Sequence, residues 1–159
     1  MARVNTFSAN TESDAVVPAA RSDIWAALTD PVLLPKLTPF LQHIHADGDL
    51  WRWELSKIPI LGIAVAPCFT ERMTFEPESR IEYRHEPPPG TTERTGVAGW
   101  YALDDVDGGT RLRIRLTIDA QLPLPKSSGF AVRKVMTSVV DRMGDRFAAN
   151  LLRHLGVPA

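Results

Sequence analysis

At 159 residues the chain has the size of one domain, and a 44% hydrophobic share is enough to build a sizeable core. A formal net charge of −1 supplies no global field to gather nucleic acid or an anionic membrane. The single cysteine, Cys68, excludes an internal disulfide and a zinc site of several thiolates. No repeat, low-complexity tract or linker divides residues 1–159, so one domain is expected throughout. The start, Met1-Ala2-Arg3-Val4-Asn5, has no apolar run of the secretory kind, and the longest apolar stretch, Ile58 to Phe69, is broken by Pro59, Gly62 and Pro67. A cytoplasmic protein without stable membrane insertion is the expectation.

Residues 3–17 have little helical signal and read as a long first strand ending at Val17-Pro18. Residues 21–29 predict a helix: Ile24, Trp25 and Leu28 share a face, and Asp23 sits in the first turn, where the helix dipole favours an anion. Asp30-Pro31 stops it, and Pro31 opens a second short helix through Leu34 and Lys36. The period then changes to two. Residues 40–46 and 50–57 predict strands joined by Asp47-Gly48-Asp49, residues 65–76 and 80–86 a pair around Pro77-Glu78-Ser79, and residues 94–103 and 110–122 a pair around Asp107-Gly108-Gly109. The last strand alternates cleanly, with Leu112, Ile114, Leu116, Ile118, Ala120 and Leu122 on one side and Arg111, Arg113 and Arg115 on the other. From about Ser128 to Leu155 an apolar stripe at helical spacing runs through Val132, Met136, Val140, Met143 and Phe147, and Gly156 and Pro158 follow it as a stop. A helix that long needs a wide partner, and only the accumulated sheet is large enough. The fold class is therefore α+β.

The order of these elements resembles the helix-grip fold: a seven-stranded curved antiparallel sheet wrapped around a long C-terminal helix, with two short helices after the first strand. The segment from Val17-Pro18-Ala19-Ala20 through Asp23-Ile24-Trp25-Ala26 to Asp30-Pro31 is similar to the opening of the START-like (SRPBCC) superfamily, in its polyketide cyclase/dehydrase and coenzyme Q-binding branch. The resemblance covers nearly the whole chain. It implies a cavity between sheet and helix for a small hydrophobic molecule such as a lipid, quinone, isoprenoid or polyketide. No set of catalytic residues carries over from it, and the fold alone does not decide function.

The strand pair 65–76 and 80–86 holds the sharpest candidate chemistry. A three-residue turn at Pro77 to Ser79 sets Phe75 opposite Ile81, Met73 opposite Tyr83 and Glu71 opposite His85, all on one face. Glu71 then points toward the core, where an ionised carboxylate needs a partner, and His85 is in reach. Two readings stand: an acid–base couple in a cavity, with Glu71 and His85 catalytic, or a structural ion pair. The ligand-facing positions expected of such a cavity are Trp53, Phe69, Met73, Tyr83, Trp100, Ile114 and Leu116 from the strands, with Met136, Val140, Met143 and Gly144 from the helix. Trp100 and Tyr101 are adjacent and must face opposite sides, and the pattern leaves open which is inward. Gly144 interrupts the apolar stripe, either as close packing against a bulky strand residue or as room for a ligand.

The remaining features read as ordinary. His43 and His45 share a strand face without a third ligand, so no metal site is expected, and no cofactor motif is present. The ladder Arg111, Arg113 and Arg115 reads as a solvated face, and nucleic acid is not an expected partner. The segment Ile58 to Val65 is unusually apolar for a loop and reads as a lid or a contact surface. Three functions follow: a carrier or receptor of a small hydrophobic ligand, a cyclase- or dehydratase-type enzyme acting through Glu71 and His85, and an interaction module docking through the 58–65 loop. Ligand identity and oligomeric state are not encoded in any pattern here.

Overall fold

A computed structural model describes residues 3–157. The chain runs β1 (Asn5–Val17), α1 (Arg21–Leu28), α2 (Leu34–Leu37), β2 (Leu41–Asp47), β3 (Leu50–Leu55), β4 (Ile58–Ile60), β5 (Ile63–Val65), β6 (Cys68–Glu76), β7 (Arg80–His85), β8 (Thr95–Val106), β9 (Gly109–Leu122) and α3 (Gly129–His154). Seven strands form one antiparallel sheet in the order β1-β9-β8-β7-β6-β3-β2, and β4 and β5 form a separate hairpin. This is the helix-grip arrangement, with α3 on the concave side of the sheet. Among the described residues no helix is long and apolar enough to cross a membrane.

Turn chemistry fixes the registers. Glu76 pairs with Arg80 across the three residues Pro77 to Ser79, of which Glu78 takes a left-handed φ of 57°. Val106 pairs with Gly109 across Asp107-Gly108, where Gly108 supplies φ 89°. Asp30 links the two short helices, its carboxylate accepting hydrogen bonds from the Val32 and Leu33 amides at 2.9 and 3.1 Å. The end of α3 is a Schellman closure: the Val157 amide donates to the Leu152 carbonyl, the Gly156 amide to Arg153, and Gly156 sits at φ 72°.

The 58–65 segment is a correction to the expected loop. Ile58 pairs with Val65 and Ile60 with Ile63, around a two-residue turn in which Leu61 and Gly62 both have positive φ. Ile58 and Ile60 are buried and pack with Val132 and Met136 of α3. Apolar side chains with a binding surface inside their own chain are core, and only Leu61 at the tip stays largely exposed.

The core is divided. One cluster joins α1 and α2 to the sheet through Ile24, Leu28, Trp51, Met73, Ile81, Tyr83 and Leu103, and receives the C-terminal end of α3 through Leu151. The other joins Phe7, Ala9, Ala120 and Leu122 to the β4–β5 hairpin and the N-terminal half of α3. Between them Val140 and Met143 of α3 belong to neither cluster and are half-buried, while Asp141 and Arg142 face solvent. Among the strands of the sheet, α3 approaches β1 most closely and stands off the central ones.

Gly99 is a point of close approach in the middle of this sheet. A Cβ built there would lie 2.0 Å from the Arg115 carbonyl oxygen, which is backbone and cannot swing aside. Gly99→Ala is expected to cost about 1–3 kcal/mol through local overpacking. Chemical denaturation of the variant checks this; an unchanged midpoint would show that β8 and β9 have slack at this position.

Candidate functional site

Cross-strand pairing puts Phe69, Glu71, Met73 and Phe75 of β6 beside Trp51 and Trp53 of β3 and beside Ile81 and Tyr83 of β7, on the concave face. Tyr101 lies opposite Ile81 and Ile114, so it is the inward member of its pair. Trp100 lies opposite Glu82 and Arg115 on the convex face, with the Arg80 guanidinium 4.7 Å from its ring centroid. Trp100 is therefore removed from the expected ligand-facing set, because strand alternation allows only one of the two rings inside. The aromatic groups form a connected wall. Trp53 stacks on Phe69 at 6.2 Å and 12°, Trp51 lies 6.2 Å from Trp53 and 5.8 Å from Phe75, and Tyr83 lies 5.2 Å from Tyr101.

Glu71 is 2% exposed in the midst of this wall, and its Oε2 has no hydrogen-bond partner among the described residues. It pairs in register with His85, as the turn geometry requires, but the two side chains do not bond. His85 Nε2 is 2.8 Å from Glu93 Oε1, and the same Glu93 carboxylate accepts hydrogen bonds from the Thr70 amide at 2.8 Å and the Thr70 hydroxyl at 2.7 Å. Thr70 alternates with Glu71 and looks the other way, and the His85 ring packs on Gly96, where any Cβ would meet Nδ1 at 2.4 Å. The expected Glu71–His85 couple is thus corrected to a His85–Glu93–Thr70 cluster and a lone Glu71. Glu93 sits in an irregular stretch between β7 and β8, where no period points to a partner, so sequence spacing could not single it out.

With no cation beside it, burial pushes the Glu71 carboxyl well above its ordinary value of 4.5. Burial also raises the Tyr83 hydroxyl, with Tyr101 and Glu71 nearby adding to the effect, and raises Tyr101, to which Glu71 again contributes. The Tyr83 hydroxyl reaches across β8 at Gly99 to within 3.4 Å of the Arg115 carbonyl, long for a hydroxyl hydrogen bond. A second orphan lies close by: Trp53 Nε1 is buried without an acceptor among the described residues. Trp53 faces Phe69 and Glu71 faces Trp51, so Trp53 and Glu71 are diagonal neighbours on one face. Each unmade hydrogen bond of this kind costs about 1–3 kcal/mol.

The other expected ligand-facing residues divide by depth. Phe69, Met73 and Tyr83 are buried in the wall, and Met136 is buried in the core cluster at the hairpin end. Ile114 and Leu116, on the inward side of β9, and Val140 and Met143, in the middle of α3, are half-buried. Gly144 is exposed, with nothing within 4 Å of a built Cβ, which rules out the close-packing reading. His43 and His45 lie exposed on β2, their rings 4.0 Å apart, and His45 Nε2 is 3.2 Å from Glu54. Among the described residues no group of three or more His, Cys, Asp or Glu is placed to hold a metal ion. The arginine ladder is paired, Arg111 with Asp14, Arg113 with Asp104 and Arg115 with Glu12.

These facts set a pH dependence. A carboxyl raised by burial is still protonated in the native chain where the unfolded chain has ionised. Its contribution is fully present below the unfolded value of about 4.5 and is lost as pH rises toward the folded value, at about 1.4 kcal/mol per pH unit between the two. Glu71→Gln keeps the shape and removes the titration. Thermal melts across about pH 4.5 to 8 should therefore show the parent losing stability relative to Glu71→Gln as pH rises. Parallel curves over that range would show that Glu71 is ionised in the folded protein.

Comparison with known proteins agrees with this architecture. Residues 8–156 match the family described as polyketide cyclase / dehydrase and lipid transport. The fold is similar to that of the ZhuI aromatase/cyclase from Streptomyces sp. R1128, with TM-score 0.64, 16% identity and coverage of 94% of each chain. It is also similar to a START superfamily protein from Mycobacterium smegmatis, with TM-score 0.66, 15% identity and coverage of 91% of this chain and 97% of that one. A protein from Thermus thermophilus aligns with TM-score 0.67, 16% identity and coverage of 91% and 98%. No curated protein matches the sequence. At these identities the structural likeness speaks for the fold alone, while the match over residues 8–156 makes the chain a member of the polyketide cyclase/dehydrase and lipid transport family.

Proposed function

We propose that this protein binds a small hydrophobic molecule between the concave face of the sheet and the middle of α3. The observation that carries the reading is the divided core. The helix is packed at both ends, and its middle residues Val140 and Met143 are half-buried and belong to neither cluster, while Ile114 and Leu116 on the inward side of β9 are half-buried at the edge of the first. Apolar surface on two facing walls, left incompletely covered, is what a ligand of this class would cover. Membership of a family described by cyclase, dehydrase and lipid transport roles supports the same reading. A lipid, quinone, isoprenoid or polyketide-like molecule fits the wall's chemistry.

The enzyme reading is weaker in its original form, because Glu71 and His85 are separated and His85 is tied to Glu93. Burial pushes Glu71 toward its protonated form, and to that extent an acid-assisted dehydration fits better than base-initiated cyclisation. The docking reading has lost most of its motive, since Ile58 and Ile60 are spent inside the chain.

Titration with the neutral fluorophore N-phenyl-1-naphthylamine tests the site. The parent protein should give saturable enhancement at one molecule per chain. Leu116→Trp and Val140→Trp fill the gap from opposite walls, and each should weaken binding by about tenfold or more while the protein still melts cooperatively. Equal affinity in the filled variants, or no enhancement with the folded parent, would overturn the proposal.

A further inference from the structure

The two orphaned polar atoms of the concave wall have no role in a purely apolar binding site. We infer that Glu71 and Trp53 form a polar subsite that receives an uncharged oxygen of the ligand, a hydroxyl or a carbonyl, and that ligands with an anionic head are rejected there. The inference rests on the hydrophobic-ligand reading above and adds the chemistry of the head group.

Glu71 Oε2 and Trp53 Nε1 are both buried and unpartnered among the described residues. They belong to adjacent strands and to the same face, two residues apart in register. The indole N–H can only donate, and a protonated carboxyl can donate through its O–H and accept through its carbonyl oxygen. One oxygen with two lone pairs, placed between them, satisfies both. A hydroxyl or carbonyl oxygen fits, whereas a hydrocarbon leaves both atoms orphaned.

The charge selection follows from what the wall lacks. The arginines of these strands, Arg52, Arg72, Arg80, Arg84, Arg111, Arg113 and Arg115, alternate with the inward residues and occupy the convex positions. Several pair there with Asp14, Glu54, Glu82, Glu86, Asp104 and Glu12. An anionic head would enter a low-dielectric wall with no cation and with a carboxyl already present. The nearest titratable neighbours of Glu71 are Tyr83 and Tyr101, both neutral hydroxyls held by burial, and His85 is committed to Glu93. Burial of Glu71 itself favours the neutral form that can donate. Tyr101, Ile114 and Leu116 on the same face are only half-buried, and that is the side from which the ligand would approach.

Three probes of one ring size separate the parts of the inference: naphthalene, 2-naphthol and 2-naphthoate, titrated by calorimetry near neutral pH. The full chain should bind 2-naphthol about tenfold more tightly than either of the others, the margin of one or two good hydrogen bonds. Trp53→Phe and Glu71→Leu should each erase most of the preference for 2-naphthol over naphthalene, read as the ratio of the two affinities within each variant, while a cooperative thermal melt reports that the variant is folded. Glu71→Gln, which still donates and accepts, should keep the preference. Equal affinity for all three probes, or a preference that survives Trp53→Phe and Glu71→Leu, or one that vanishes in Glu71→Gln with naphthalene binding intact, overturns the polar subsite and leaves the hydrophobic site standing. No binding of any probe overturns the hydrophobic-ligand reading itself.

Discussion

The way α3 is held decides most of what this molecule can do. Leu151 anchors its C-terminal end against the cluster built on α1, α2 and the central strands, and Val132 and Met136 anchor its N-terminal half against β1, β9 and the β4–β5 hairpin. A rigid helix of 26 residues spans the distance between those anchors without needing support in the middle. Val140 and Met143, in the middle of that span, are half-buried and belong to neither cluster. A smaller residue at either anchor, which lets the helix settle, would be felt at these middle residues before it was felt in the fold.

Polarity on the two faces of the sheet broadly follows strand alternation. The convex face carries paired charges, which stabilise little individually but keep the arginine ladder from presenting an unbalanced field. The concave wall is mostly aliphatic and aromatic, and the Glu71 carboxyl and the Trp53 N–H are buried in it without a partner among the described residues. A leucine at position 71 would satisfy the same strand pattern without an unmade hydrogen bond. Retaining a carboxyl there destabilises the unliganded protein, and such local costs are the mark of positions where function and stability compete.

The architecture was legible because several signals agreed. The clean alternation of residues 111–122, the three-residue turn at Pro77 to Ser79 and the long stripe on α3 each admit one arrangement, and the registers follow from them. The same pairing arithmetic reaches the Trp100–Tyr101 choice. A two-residue turn at Asp107-Gly108 with Ile114 inward places Tyr101 inward and Trp100 outside, so that choice stays open only while the turn length is uncounted. The 58–65 hairpin escapes the sequence for a related reason. Leu61 and Gly62 are an unusual turn pair, because leucine rarely takes positive φ, so the segment lacks the chemistry that announces a hairpin. What no pattern contains is the His85–Glu93 bond. It depends on an irregular segment folding back over Thr70, a tertiary event without a periodic trace.

The separation of Glu71 from His85 also bears on how a binding wall differs from an active site. A base and an acid acting on one substrate must face the same volume, and here the imidazole is turned to Glu93 while the buried carboxyl stays in the aromatic wall. His85 is oriented by Glu93, Glu93 is fixed by the Thr70 amide and hydroxyl, and Gly96 gives the ring its seat. Such a bonded cluster ties the start of β8 to β6 and β7 and so holds the strand that carries Tyr101. Its work is to keep the wall in place. Any chemistry on a bound molecule then falls to groups on the concave side, where the Glu71 carboxyl, pushed toward its protonated form by burial, the indole N–H and the two tyrosine hydroxyls can each donate a hydrogen bond. A wall of that kind is suited to holding and polarising an oxygen of the ligand proposed for it.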